Sequence, residues 1–189
     1  MTLYHWELPQ ALEEKDGWQN SETAAAFSRF AGMMAAHFEG RVSHFITLNE
    51  PQIVLKLGYA DGIHAPGKRL SLPELVSCWK NLMLAHGLSF RAIRKAAPEA
   101  LIGIASTGKL CYPHSPADED AARQETFRLT DADWMFTHPI VLDAVCLGRV
   151  KPEAGALRGL LSAVTPAEWD TMHAVPDFIG VNSYNGSEI

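Results

Sequence analysis

The run Ile46-Thr47-Leu48-Asn49-Glu50-Pro51 constrains this chain most. Val42 to Leu48 is mostly apolar and partly β-branched, the composition of a buried strand. Pro51 has no backbone N–H to add to a ladder, so the strand must stop there. Asn49 and Glu50 are thereby delivered to the C-terminal rim of a strand. Thr2-Leu3-Tyr4-His5-Trp6-Glu7-Leu8-Pro9 ends in the same way, and Asp177-Phe-Ile-Gly-Val-Asn182-Ser-Tyr184 follows the same pattern. In α/β sheets of parallel strands, that rim is where ligands bind.

Between these runs the hydrophobic period changes from two to 3.6. Thr2–Trp6 reads as the first strand. Asn20 or Ser21 caps a helix to about Phe38, with Gly40 as its stop and a packing stripe of Phe27, Phe30, Met34 and Phe38. Val42–Asn49 is the second strand, followed by a glycine-rich loop from Gly58 to Gly67. Ser71-Leu-Pro-Glu74 is a capping box that opens a long helix ending before Pro98. Ala100–Ala105 is the third strand, and a loop from Ser106 to Pro116 carries Lys109, Tyr112 and His114. A helical region is expected from Ala117 to Thr137, a shorter helix from Pro139 to Cys146, and a further one opened by the box Thr165-Pro-Ala-Glu168. Asp177–Ser183 is the fourth strand. The order β-α-β-α-β-α-β predicts an α/β fold, a parallel sheet of about four strands with helical crossovers, in one domain over residues 1–189.

The 189 residues suffice for a sizeable core. A net charge of -6 argues against non-specific nucleic-acid binding. No apolar stretch is long enough to span a bilayer, and no secretory leader opens the chain. Cys78, Cys111 and Cys146 are odd in number and lack metal-ligand spacing. They read as free thiols in a reducing, cytoplasmic setting. The histidines have no HExxH-type spacing, so neither a metal nor another cofactor is expected. His64 reads as structural, and Glu7, Glu13 and Glu14 as surface or cap residues.

Parallel strands ending in His5-Trp6, Asn49-Glu50 and Asn182-x-Tyr184 converge on one rim. Carboxamides and a carboxylate hydrogen-bond hydroxyls, and aromatic faces cover the C–H side of a sugar ring. The set suits a polyhydroxylated ligand.

Five blocks sharpen this reading. TLYHWELPQALE (2–13), GRVSHFITLNEP (40–51), GYADGIHAPG (58–67), NLMLAHG (81–87) and DFIGVNSY (177–184) occur in order and together resemble glycoside hydrolase family 1, the retaining β-glycosidases such as β-glucosidases. The resemblance implies part of a (β/α)8 barrel, strands three to six. It implies Glu50 as general acid/base, with Asn49 binding the sugar 2-hydroxyl. His5 and Trp6 would bind glycone hydroxyls, and Asn182 would join them as a substrate-binding residue. Tyr184 would orient the catalytic nucleophile.

The family's T/V-x-E-N-G nucleophile motif has no counterpart in these residues, and nothing around Glu188 resembles it. A complete barrel takes about 250 residues or more. The expectation is therefore a segment of a retaining β-glycosidase, inactive alone. It would need a complementary barrel fragment, a longer parent chain or self-association to act on a β-glycoside or oligosaccharide. The alternative is a non-catalytic half-barrel remnant that binds sugar weakly or serves only as a folding unit.

Overall fold

The computed structural model describes residues 1–152 and 154–189. In chain order its strands are β1 (Thr2–Tyr4), β2 (His44–Asn49), β3 (Leu101–Thr107), β4 (Cys111–Tyr112), β5 (Phe178–Asn182) and β6 (Ser187–Glu188). Its helices are α1 (Gln10–Glu13), α2 (Ser21–His37), α3 (Pro51–Ile53), α4 (Leu72–Ala96), α5 (Glu119–Phe127), α6 (Pro139–Leu147), α7 (Ala156–Leu161) and α8 (Pro166–Met172). β1, β2, β3 and β5 form one parallel sheet in that order. β4 and β6 make a separate two-stranded ribbon.

Local chemistry sets the helix ends. The Asn20 side chain accepts from the Glu22 amide at 2.9 Å and starts α2, which satisfies one of the helix's orphan N–H groups. Ser71 and Glu74 form the capping box of α4, with the Ser71 amide donating to Glu74 Oε2 at 2.8 Å. Thr165 and Glu168 do the same for α8. Gly148, at φ 62°, closes α6 in the left-handed region that costs glycine nothing.

α4 is the spine of the helical layer. Its Trp79 Nε1 donates to the Ile140 carbonyl at 2.8 Å, and Asn81 Nδ2 donates to the Trp18 carbonyl at 2.8 Å. Arg91 reaches the Thr171 and Asp170 carbonyls at 2.6 and 2.7 Å and so ties down the end of α8. Gly87 allows this approach: a Cβ there would run into the Thr171 carbonyl. One core cluster joins Tyr4, Leu48 and Ile104 of the sheet to Trp79, Leu82 and Trp18. A second joins Phe45 and Ile102 to Ala31, Ala35 and Ile93.

Four expectations need correction. The buried seam of α2 is Ala24, Phe27, Ala31 and Ala35, and Phe30 is exposed. Small residues let α2 lie close against α4, with Gly32 facing Ala92, so the larger side chains fall to the flank. The strand's end at Pro51 opens directly into α3 and then a π-helical stretch, Val54–Ala60, which takes in Gly58. The region 117–137 is not one helix. α5 stops at Phe127, and a short 3-10 turn, Trp134–Phe136, follows a non-helical stretch. The loop after β3 contains β4, which pairs with β6 about 75 residues on.

The β5 flank of the sheet leaves apolar side chains uncovered, with Ile179 and Val181 44% and 60% exposed; on the helical layer, Met33 of α2 is 65% exposed. Among the described residues no helix is long and apolar enough to cross a membrane.

Candidate active site

Glu50 follows β2 directly. Its amide donates to the Ala105 carbonyl at 2.8 Å, which continues the β2–β3 pairing one residue past the strand. The backbone then turns through the left-handed region at φ 47°, ψ 65°, and Pro51 becomes the first residue of α3. Trp6 just beyond β1 also has positive φ, 75°. For non-glycine residues each such conformation costs on the order of 1–3 kcal/mol, and such residues gather at functional sites.

The structure brings His5, Trp6, Asn49, Glu50, Asn182 and Tyr184 into one connected cluster at the C-terminal ends of β1, β2 and β5. Trp6 Nε1 donates to the Asn49 carbonyl at 3.0 Å. Asn49 Nδ2 lies 3.2 Å from His5 Nε2. An amide nitrogen only donates, so Nε2 is the accepting ring nitrogen in this contact. Asn182 Nδ2 donates to Asn49 Oδ1 at 3.3 Å and also to Glu50 Oε1. The Tyr184 hydroxyl lies 3.4 Å from the same Glu50 oxygen. Glu50 is 2% exposed, whereas Tyr184 is 83% exposed. Tyr184, expected beside a nucleophile, thus has Glu50 itself as its partner.

The arrangement offers one buried carboxylate with two donors on a single oxygen. Two carboxamides and an imidazole extend the hydrogen-bonding edge, and the Trp6 indole stands beside them. This set can bind vicinal hydroxyls and pass a proton at Glu50. Among the described residues no second carboxylate hydrogen-bonds within the cluster. Glu188 sits on the β4–β6 ribbon, where His114 Nδ1 holds it at 2.5 Å.

Three further residues belong to this site or support it. His64 packs against the site, its ring 5.4 Å from that of Trp6. Thr107 Oγ1 donates to the Asn182 carbonyl at 3.0 Å, where the ends of β3 and β5 are in register. Gln52 is fully buried and donates to Ser106 Oγ at 2.7 Å, which ties the turn after Glu50 to β3. A polar residue one step past an Asn-Glu-Pro stop was the available signal for Gln52; His64 lies in the GYADGIHAPG block but read as structural, and Thr107 gave no signal apart from its place in the fold. Glu13, expected at the surface, is instead largely covered. It accepts from the Tyr59 hydroxyl at 2.6 Å and pairs with Lys68 at 2.5 Å, clasping the loops after β1 and β2. Burial and the Glu13 carboxylate both push the Tyr59 phenol well above its ordinary range.

A family model described as Glycosyl hydrolase family 1 matches residues 1–189. Beta-glucosidase A of Acetivibrio thermocellus is 32% identical over 192 residues, which is 100% of this chain and 41% of the relative. Beta-glucosidase 25 of Oryza sativa subsp. japonica is 36% identical, over 97% of this chain and 39% of the relative. Among solved structures, the beta-glucosidase from Thermotoga maritima in complex with methyl acetic acid-substituted glucoimidazole superposes with a TM-score of 0.82 at 30% identity. It covers 99% of this chain and 41% of that one. The chain thus spans about two fifths of the length of these relatives. Its four parallel strands are part of the barrel those neighbours contain. With the whole chain matched by the family model, this chain belongs to glycosyl hydrolase family 1.

Proposed function

We propose that these residues form the acid/base-bearing part of a retaining β-glycosidase that hydrolyses terminal β-linked sugars, β-glucosides by analogy with the named relatives. The observation that carries the reading is the cluster in which Asn182 and Tyr184 both reach Glu50 Oε1 while Asn49 links it to His5. A glycosidic oxygen leaves poorly unless it is protonated as its bond breaks. Glu50 would supply that proton to the leaving oxygen. A second carboxylate, about 5–5.5 Å away in retaining enzymes, would attack the anomeric carbon from the opposite face. Glu50, now ionised, would then take a proton from water as the water displaces the glycosyl ester. Asn49 would hold the sugar 2-hydroxyl, His5, Trp6 and Asn182 would bind other groups of the glycone, and Tyr184 would bridge Glu50 to the incoming nucleophile.

The second carboxylate belongs, on this reading, to polypeptide outside these 189 residues, a longer parent chain or a complementing segment. The chain alone is expected to give no turnover. The test is Glu50→Gln in the assembled enzyme, followed by pre-steady-state kinetics. The glycosylation step should fall by about two or more orders of magnitude for substrates with poor leaving groups. Activated aryl glycosides, whose leaving groups need little protonation, should lose far less. Equal losses for both would contradict the acid role. The second reading, a non-catalytic remnant, draws on the lack of a second carboxylate in the described cluster; it predicts no turnover after any complementation.

A further inference from the structure

We propose that Asn185 is a site of spontaneous covalent modification, at which the side-chain carboxamide closes on the Gly186 amide and ends as aspartate or isoaspartate. Asn185-Gly186 is the one Asn-Gly step in the sequence. It lies in segment 183–186, which is exposed, has no regular structure and joins β5 to β6. On one side of it stands Tyr184 of the Glu50 cluster, and on the other the β4–β6 ribbon.

The other asparagines show what holds such a reaction back. Asn20 accepts from the Glu22 amide and donates to the Lys15 carbonyl. Asn81 is buried and donates to the Trp18 and Gln19 carbonyls. Asn182 donates to Asn49, and the pair is held further by Glu50 and His5. Asn185 is exposed, and among the described residues its carboxamide makes no hydrogen bond, so its side chain is free to bring Cγ over the next amide. The Gly186 amide donates no backbone hydrogen bond among the described residues, and it has no side chain to block the approach. The fold itself favours glycine there. A Cβ at 186 would stand 3.1 Å from Tyr112 Cδ1 and 3.2 Å from the Leu110 carbonyl oxygen. The close passage of the chain over β4 thus selects the residue that leaves the amide most open.

In the first step the Gly186 nitrogen gives up its proton and bonds to Asn185 Cγ. The Cγ–Nδ2 bond breaks, and Nδ2 takes up a proton and leaves as ammonia. Water then opens the five-membered imide. Attack at Cγ breaks the new Cγ–N bond and leaves an aspartate on an unchanged backbone. Attack at the Asn185 main-chain carbonyl carbon breaks its bond to the Gly186 nitrogen instead. The product is isoaspartate, whose main chain runs through Cβ and Cγ and is one methylene longer. Both products place a carboxylate one residue from Tyr184, whose hydroxyl lies 3.4 Å from Glu50 Oε1. The longer link also disturbs the far side, where the Ser187 amide donates to the Leu110 carbonyl at 2.9 Å and the Ile189 amide to the Tyr112 carbonyl at 3.0 Å. The site rests on the covalent geometry of this segment and not on the acid/base reading of Glu50.

The test holds the purified chain in native buffer at mildly alkaline pH and maps its peptides by mass over time. Isoaspartate is counted separately, by enzymatic methyl transfer to its carboxylate. Asn185 should convert at least about tenfold faster than any other asparagine, a margin that corresponds to about 1.4 kcal/mol of barrier. The rate should rise with pH, because the attacking nitrogen must lose its proton. The Asp16-Gly17 and Asp61-Gly62 steps can isomerise but release no ammonia, so the mass gain of exchanging NH2 for OH separates them from Asn185. Asn185→Gln, which would have to close a larger ring, should remove that gain with no change in fold. Amide exchange read by mass spectrometry, which an associated chain tolerates, should quicken over β6 in the aged chain and not in aged Asn185→Gln. The proposal is overturned if native Asn185 converts no faster than Asn20 or Asn182, each followed by serine, or if methyl transfer is undiminished in Asn185→Gln. Conversion with unchanged exchange over β6 would overturn the effect on the ribbon.

Discussion

Acid should loosen this fold, with buried His86 as a principal cause. The ring is fully buried in α4 and bridges two other elements. Its Nε2 lies 3.0 Å from the Ala174 carbonyl, which can only accept, so Nε2 carries the proton. Nδ1 lies 2.7 Å from Thr47 Oγ1 in β2, so in the neutral ring Nδ1 accepts from the threonine hydroxyl. A second proton would turn Nδ1 into a donor and swing the Thr47 hydroxyl toward the Gly103 carbonyl, 3.3 Å away. It would also place a charge in a dry site near Arg91. Burial, the larger cause, and Arg91 together hold the imidazole down at about 4, against 6.5 for the free group. The folded state thus binds its proton less readily than the unfolded chain. Between those two values the unfolded state holds more protons, so stability rises with pH. It is fully present above about 6.5 and is lost as pH falls toward 4. The difference is worth about 3 kcal/mol over that window. Urea denaturation at half-unit steps from pH 7 to 4 should therefore be steeper for the native sequence than for His86→Gln. The glutamine keeps a donor for Ala174 but cannot titrate. If the two pH profiles run parallel to within about 0.5 kcal/mol, the charge state of His86 is not the cause of the acid loss. Thr47 lies two residues before Asn49, so the same protonation should blur signals at the site before the chain unfolds.

Gly87→Ala should destabilise the chain. Alanine is better than glycine in a helix interior by about 1 kcal/mol, but its Cβ would press on the Thr171 backbone carbonyl, which cannot rotate away, and overpacking of this kind costs about 1–3 kcal/mol or more. A raised urea midpoint would contradict that close contact. Thr165→Ala removes the cap of α8 and should cost about 1 kcal/mol by the same assay; no change would mean that the Lys80–Glu168 contact, at 2.7 Å, holds the helix start unaided. The purified 189-residue chain should associate in sedimentation and give no β-glucoside turnover; a monomer with Glu50-dependent turnover would require a nucleophile within these residues.

How much of this was legible in the sequence follows from which forces are local. The sheet was legible because period, proline stops and capping boxes act over a few residues: β2 ends where Pro51 demands it, and α4 and α8 begin on their boxes. The residues of the site cluster were legible for the same reason, since each ends or closely follows a strand and parallel pairing brings strand ends to one rim. What failed was set by tertiary contact. No local signal marks Ala24, Ala31 and Ala35 as the seam of α2, because their value lies in how close α4 can come. The covered state of Glu13 depends on Tyr59 and Lys68, 46 and 55 positions away. The positive φ of Glu50 and Trp6 was invisible because neither residue type announces it.

Those two strained residues bear on how the site is held. Glu50 keeps an unfavourable backbone because three restraints close on it: its amide on Ala105, Gln52 on Ser106, and Asn182 on its carboxylate. Only the last comes from β5, and β5 is a flank of the sheet with Ile179 and Val181 uncovered. A parallel edge offers unpaired N–H and C=O groups along with that apolar surface, a combination that favours pairing with further strand. The hydrogen bond on Glu50 thus depends on a strand whose outer side has no covering element among the described residues. Support added along β5 would steady Asn182 and Tyr184 directly, since Thr107 already fixes the Asn182 carbonyl from the other side. The order of Glu50 and the covering of the β5 edge are therefore one problem. Polypeptide that completes the sheet would then hold Glu50 in place and, on the proposed reading, bring the second carboxylate to it.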